Sequence, residues 1–142
     1  MSMLEPAALP DELATVAIET GPEIVASYAA LTDDYNPIHL DPAFAAGTAF
    51  GRPIVHGTLG LNLVLEAIER TFGEVPATLS LDARFVRPVP VGTAIRAGGR
   101  LRDAAAGLYE VFVETSAGER AVEGTCTIMP GATPETKGTN AS

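Results

Sequence analysis

The chain has 142 residues, 46% of them hydrophobic, which predicts one folded domain with a packed core rather than a disordered segment. Its formal net charge of −9 lacks the basic footprint that nucleic acid or an anionic membrane surface requires, so neither is expected as a partner. A lone cysteine, Cys126, excludes an internal disulfide and any multi-cysteine metal site, and its alternating apolar surroundings predict buried packing.

In chain order, residues 1–12 read as a flexible lead with prolines at Pro6 and Pro10. They show neither the basic start nor the apolar core of a secretory signal, and no stretch reaches the ~18 apolar residues of a membrane span, so a cytoplasmic location is expected. Residues 13–130 are expected to form the domain, followed by a disordered polar tail over 131–142. Residues 13–19 (LATVAIE) predict a short strand. Thr20 and Glu23 have the spacing of a capping box, which predicts a helix carrying Ile24, Tyr28 and Leu31 on one face. Asp41-Pro42 reads as an acidic cap followed by proline at the first helical position, where its missing N–H costs nothing, and Gly47 ends that short element.

From Gly57 to Phe72 the pattern is helical again, with Leu59, Leu61, Leu63, Val64, Leu65 and Ile68 covering most of the circumference. Such a helix must be wrapped, and a curved sheet is a natural wrapper. The sheet is supplied downstream. Ala77, Leu79, Leu81, Ala83 and Phe85 alternate with polar residues until Pro88 and Pro90 break the ladder. Ile95, Ala97, Gly99 and Leu101 alternate with Arg96, Arg100 and Arg102, and turns at Ala106-Gly107 and Ala117-Gly118 separate two further strands. The predicted class is α+β, one antiparallel sheet wrapped around one long buried helix, with an open strand edge suited to pairing in a dimer.

Both histidines fall between the first helix and the long one. Alone, Asp34, Asn36 and Pro37 make a turn motif. Joined to His39, and followed by His56-Gly57 at the mouth of the long helix, they read as a site. His56 suits either hydrogen-bonding support or direct participation, and Asn36 suits ordering the loop. Two histidines and an aspartate suggest a metal, but His39 and His56 lack the helical i, i+4 spacing and bring no cysteine, so none is expected. Arg84, Arg87, Arg96, Arg100 and Arg102 crowd two strands. They form either a solvated face with acidic partners or, at Arg87 together with Arg52, a positive lip for phosphates.

Three motifs recur in one order: Tyr28, Thr32 and Asp34-Tyr35-Asn36-Pro37-Ile38-His39; then Ile54-Val55-His56-Gly57; then Arg84-Phe85, Pro88-Val89 and Gly92. With these the chain resembles the MaoC-like hydratases, the hot-dog-fold (R)-specific enoyl-CoA hydratases and related dehydratases, over residues 13–130. It departs from them at Asp33, where the family often has glycine, and at Thr93, where an acidic residue is usual. The resemblance implies reversible hydration of a trans-2-enoyl-CoA to an (R)-3-hydroxyacyl-CoA. Asp34 and His39 would share the water, and the amide of Gly57, with Thr58, would hold the thioester oxyanion. Asn36 and His56 are expected beside the substrate, and the charge pattern, not the resemblance, adds Arg52 and Arg87 as candidates for the CoA phosphates. No cofactor is implied beyond the CoA or acyl-carrier thioester that bears the acyl group.

The chemistry suits these residues. Pro37 stiffens the bend, so the separation of carboxylate and imidazole need not be recreated each turnover. Imidazole exchanges protons well near neutrality. Amides at a helix start are orphaned donors at the positive end of the dipole, and glycine leaves a carbonyl room to approach them. A homodimer is expected, or a heterodimer with a related hot-dog subunit in which this chain, keeping the Asp-His pair, is the working half. The alternative activity is a hot-dog thioesterase using the carboxylate of Glu66 or Asp34.

Overall fold

The computed structural model describes residues 9–128. Strand β1 (Val16–Glu19) leads into helix α1 (Pro22–Thr32), the one-turn helix α2 (Pro37–Leu40) and the short α3 (Pro42–Ala46). The long helix α4 (Gly57–Phe72) follows, then β2 (Ser80–Phe85), β3 (Ala94–Asp103), β4 (Leu108–Thr115) and β5 (Arg120–Thr127). The five strands form one antiparallel sheet in the order β1-β3-β4-β5-β2. Helix α4 packs against one face of it, chiefly over β3 and β4. This is the expected α+β hot-dog arrangement. No helix among the described residues is long and apolar enough to cross a membrane.

The core is the interface between α4 and the sheet. Leu59, Leu63, Val64, Ala67 and Ile68 are buried against Val111, Val113 and Val122. The sheet covers one side of the rod only: Leu61 and Leu65 stay half-buried, so the expectation of a fully wrapped helix is met on that side alone. Cys126 is buried as expected, and burial pushes its thiol up to about 11. Tyr109, fully buried, donates its hydroxyl to the carbonyl of Pro10 at 2.6 Å, and desolvation pushes it up to about 12. The backbone of Asp11 accepts from Leu101, and Glu12 bridges to Arg100, so residues 10–12 run along the sheet. Residues 1–8 and the tail over 131–142 lie outside the described residues.

Two local readings need correction. The Thr20/Glu23 capping box does not form: Gly21 is the N-cap of α1, with no side-chain cap. The Thr20 hydroxyl instead donates to the carbonyl of Thr93 at 2.7 Å and accepts from the amide of Gly92 at 3.1 Å, where it is fully buried. A buried hydroxyl bonded to a strand loop gains more than one left at an exposed helix start. The buried face of α1 is also Val25, Tyr28 and Ala29, while Ile24 and Leu31 are exposed. By contrast Asp41 caps α3 as expected, accepting from Ala43 at 3.0 Å and Phe44 at 3.2 Å.

The outer face of the sheet is a ladder of ion pairs. Arg96 stands opposite Glu114 in register and bonds it at 2.8 Å, Arg120 bridges Glu114 at 2.9 Å and Glu110 at 3.4 Å, and Arg102 pairs with Glu110. Arg84 pairs with Glu123 across β2 and β5 at 3.3 Å. The solvated-face reading therefore describes these arginines. Hydrogen bonds from Arg102 hold the Glu110 carboxyl below its ordinary value, and those from Arg120 do the same for Glu114.

Candidate active site

The site lies where the end of α1, the one-turn α2 and the start of α4 meet. Helix α1 ends because Asp33 adopts the left-handed conformation (φ 57°), with its amide bonded to the carbonyl of Ala29. It is the only non-glycine residue with positive φ among the described residues, which gives a physical reason for the glycine that the resembling family often has there. The chain then reverses through Asp34 into α2. Asn36 caps α2 by accepting from the amide of Ile38 at 3.0 Å, and Pro37 occupies its first position. This lifts His39 toward the segment of Ile54 and His56.

The two imidazoles stack, with ring centroids 3.8 Å apart and planes 23° from parallel. His39 Nδ1 lies 2.7 Å from the carbonyl oxygen of Ile54. A carbonyl only accepts, so the proton sits on Nδ1 and Nε2 keeps its lone pair in the neutral ring. His56 has the opposite tautomer: its Nε2 donates to the backbone carbonyl of Asp34 at 3.0 Å. His56 Nδ1 is buried without a partner. Tyr28 meets the His56 ring edge-on at 5.1 Å, donates to Thr58 Oγ1 at 2.8 Å and accepts from Asn62 Nδ2 at 2.8 Å. Helix α1 is thereby pinned to the first two turns of α4.

Asp34, His39 and His56 each bring one potential ligand atom to within 4.8 Å of the others. The set fits a metal poorly. The lone pairs of two nearly parallel rings run side by side, so an ion about 2.0–2.1 Å from one nitrogen in its ring plane is out of line with the other.

His39, His56 and Gly57 share one wall of an apolar cavity of about 340 Å³ that continues between α4 and the sheet to Gly60, Val113 and Val122. No side chain caps α4, and the amides of Gly57 and Thr58 lie in its first turn, where no intrahelical acceptor exists. A Cβ on Gly57 would press to 3.3 Å on the Phe85 ring, so a side chain there would crowd the mouth.

The sequence profile described as MaoC like domain matches residues 7–122. The chain belongs to this MaoC-like family. It is 47% identical over 74 residues to the (R)-specific enoyl-CoA hydratase of Aeromonas caviae, a match covering 51% of this chain and 55% of that protein. It is 32% identical over 102 residues to 3-hydroxyacyl-thioester dehydratase Z of Mycobacterium tuberculosis, covering 66% of this chain and 68% of that one. The chain thus spans about half the length of the first of these relatives. Among solved structures it is similar to an (R)-hydratase from A. caviae involved in PHA biosynthesis, with TM-score 0.71 and 33% identity, over 87% of this chain and 98% of that one.

In this MaoC-like domain the structure gathers Asp34, His39 and His56, with Gly57 beside the two rings. Asp34 itself is exposed and stands outside the cavity wall. Asn36 orders α2, and the Thr58 hydroxyl is engaged by Tyr28. Arg87 lines the cavity and lies 3.7 Å from Glu119, whereas Arg52 is exposed and outside the lining. Glu66, the carboxylate considered for a thioesterase, pairs with Arg70 and does not reach the cavity. Sequence reasoning placed Tyr28 on the apolar face of the first helix and in the first motif, and passed over Asn62. Tyr28 is buried, but its hydroxyl ties the two helices together, and the sequence signal for that tie was a polar Asn62 set in an apolar helix.

Proposed function

We propose that this protein reversibly hydrates trans-2-enoyl thioesters to (R)-3-hydroxyacyl thioesters. The supporting observation is the meeting of three features: an imidazole whose Nδ1 is fixed and whose Nε2 is unengaged, a carboxylate close to it, and uncapped amides at the head of an apolar cavity. The sequence likeness to an (R)-specific enoyl-CoA hydratase supports the same reading.

In the hydration direction, one water lies between the Asp34 carboxylate and His39 Nε2. As its O–H bond breaks, the oxygen bonds to C3 of the substrate, the C2=C3 electron pair moves toward the thioester carbonyl, and a proton is delivered to C2. The negative charge gathering on the carbonyl oxygen is met by the Gly57 amide, a preorganised donor of the kind whose loss costs about 3 kcal/mol elsewhere. Asp34 and His39 act on the same water in this scheme, so base and acid are roles shared by the pair. Dehydration is the same path reversed. The acyl group arrives on CoA or an acyl carrier protein, and Arg87, which lines the cavity, would meet the carrier's phosphates.

A homodimer belongs to the same reading. Strand β2 is an edge of the sheet, and Phe85 and Val86 at its end are exposed beside the cavity. Pairing two such edges would satisfy the open ladder and cover both residues.

Asp34→Asn and His39→Gln should each lower hydration of crotonyl-CoA by at least 10³-fold while circular dichroism stays that of the parent. Full activity in either variant overturns the assignment. Release of free thiol without hydration would instead indicate a thioesterase.

A further inference from the structure

Tyr28 closes a ring of contacts that runs through the site. It stands on α1 one residue before Ala29, whose carbonyl accepts the backbone amide of Asp34 at 3.0 Å. Thr32 donates its hydroxyl to the Tyr28 carbonyl at 2.8 Å, so the last turn of α1 and Asp34 are tied into one piece. The Asp34 carbonyl in turn accepts from His56 Nε2 at 3.0 Å, and the His56 ring meets Tyr28 edge-on. The Tyr28 hydroxyl completes the circuit at Thr58, so one side chain touches both neighbours of Gly57.

Ring and hydroxyl do different things here. The ring is buried with Val25 and Ala29 and holds α1 by apolar contact, which sets no direction. The hydroxyl sets one. Asn62 Nδ2 can only donate, so the phenol oxygen accepts from it at 2.8 Å and its single proton goes to Thr58 Oγ1, also at 2.8 Å. Thr58 and Asn62 are four residues apart on one face of α4, about 6 Å along its axis. A hydroxyl bonded at two such points resists both sliding and rolling of α1 over α4. The backbones of these helices scarcely approach one another, so the contact carries the register between them. Thr58 and Asn62 are themselves exposed and can bond water once the phenol oxygen is gone, so little stability depends on it.

We infer that Tyr28, through its hydroxyl, and Asn62 behind it are positioning residues that set Asp34 against Gly57. Asp34 follows the end of α1 and Gly57 begins α4, so their spacing is a helix-to-helix distance. A displacement of about 1 Å between reacting groups costs roughly 10²-fold in rate. The roles of Asp34 and Gly57 come from the hydratase reading, on which this inference rests, while the joint itself is geometric.

The test compares Tyr28→Phe, Asn62→Ala and the double variant in the whole protein. For crotonyl-CoA, kcat should fall at least tenfold in Tyr28→Phe and less in Asn62→Ala. The double variant should be no slower than Tyr28→Phe, because both changes act through one joint. Affinity for butyryl-CoA, which is saturated and cannot be hydrated, should stay within threefold of the parent, and the melting temperature within a few degrees. The His56 Nε2 proton gives a readout free of turnover: in nuclear magnetic resonance of histidine-labelled protein, its exchange with water should quicken at least tenfold in Tyr28→Phe. A kcat within threefold of the parent in Tyr28→Phe overturns the inference, as does a loss of butyryl-CoA affinity as large as the loss of kcat. A fall in kcat with proton exchange unmoved also overturns it, because the hydroxyl would then act without Asp34. If the parent hydrates no enoyl-CoA while proton exchange quickens as expected, the proposed reaction falls and the positioning of Asp34 stands.

Discussion

His56 offers a separation of stability from activity. Replacing it with phenylalanine keeps a ring against His39 and Tyr28 but removes the Nε2 donor that holds the Asp34 carbonyl at 3.0 Å. That hydrogen bond is worth about 1 kcal/mol net. The same change abolishes a buried nitrogen that has no partner, returning about 1–3 kcal/mol. The slightly larger ring costs about 1–3 kcal/mol where it presses on the His39 and Tyr28 rings. These terms nearly cancel, so the melting temperature of His56→Phe should stay within a few degrees of the parent. Activity should not survive so well. The Asp34 carbonyl loses its anchor, and a displacement of about 1 Å in a reacting group costs roughly 10²-fold. His56→Gln, whose amide can donate from near the Nε2 position, should recover part of that loss. The assay is the decline of enoyl absorbance with crotonyl-CoA beside a thermal melt. Activity within threefold of the parent in His56→Phe, with Asp34→Asn inactive, would show that His56 does not place Asp34.

Asp33→Gly should relieve the left-handed backbone at the end of α1 and stabilise the protein by up to about 1 kcal/mol, or roughly 2–4 °C in a thermal melt. Glu110 and Glu114 have folded pKa values below the ordinary 4.5, so the stability they contribute is present above that value and lost as pH falls through their lowered values. Denaturant titrations stepped down from pH 6 should show this loss below about pH 4.5, and Glu114→Gln should flatten it. For Cys126, a thiol raised from 9 to about 11 has its thiolate fraction cut about a hundredfold, so a disulfide reagent should label the native protein at least 10²-fold more slowly than the urea-unfolded chain.

What was legible in the sequence was mostly local. Asp41 and Pro42 announce α3 because cap and first position are neighbours in the chain, and nothing distant competes for that carboxylate. Helix α4 is legible because its apolar residues persist over four turns. The capping box failed for the opposite reason. Thr20 has a distant rival, the Thr93 segment, and a buried bond there outweighs a local one. The alternation through Phe85 puts its ring on the helix side, beside Gly57 at the cavity mouth, but β2 is an edge strand and the ring stays 56% exposed. At the site, the motif named Asp34 and His39 while leaving His56 between two roles. Its stacking on His39 depends on how α2 and the 54–56 segment meet, and no spacing along the chain encodes a ring plane.

The opposed tautomers have a consequence for proton economy. Each imidazole has spent its single N–H on a main-chain oxygen, at Ile54 and at Asp34. A neutral, substrate-free pair of imidazoles therefore presents lone pairs but holds no transferable proton of its own. Whichever way the proposed reaction runs, its opening move must be a withdrawal from the incoming molecule, and the hydrogen handed back later is the one just taken.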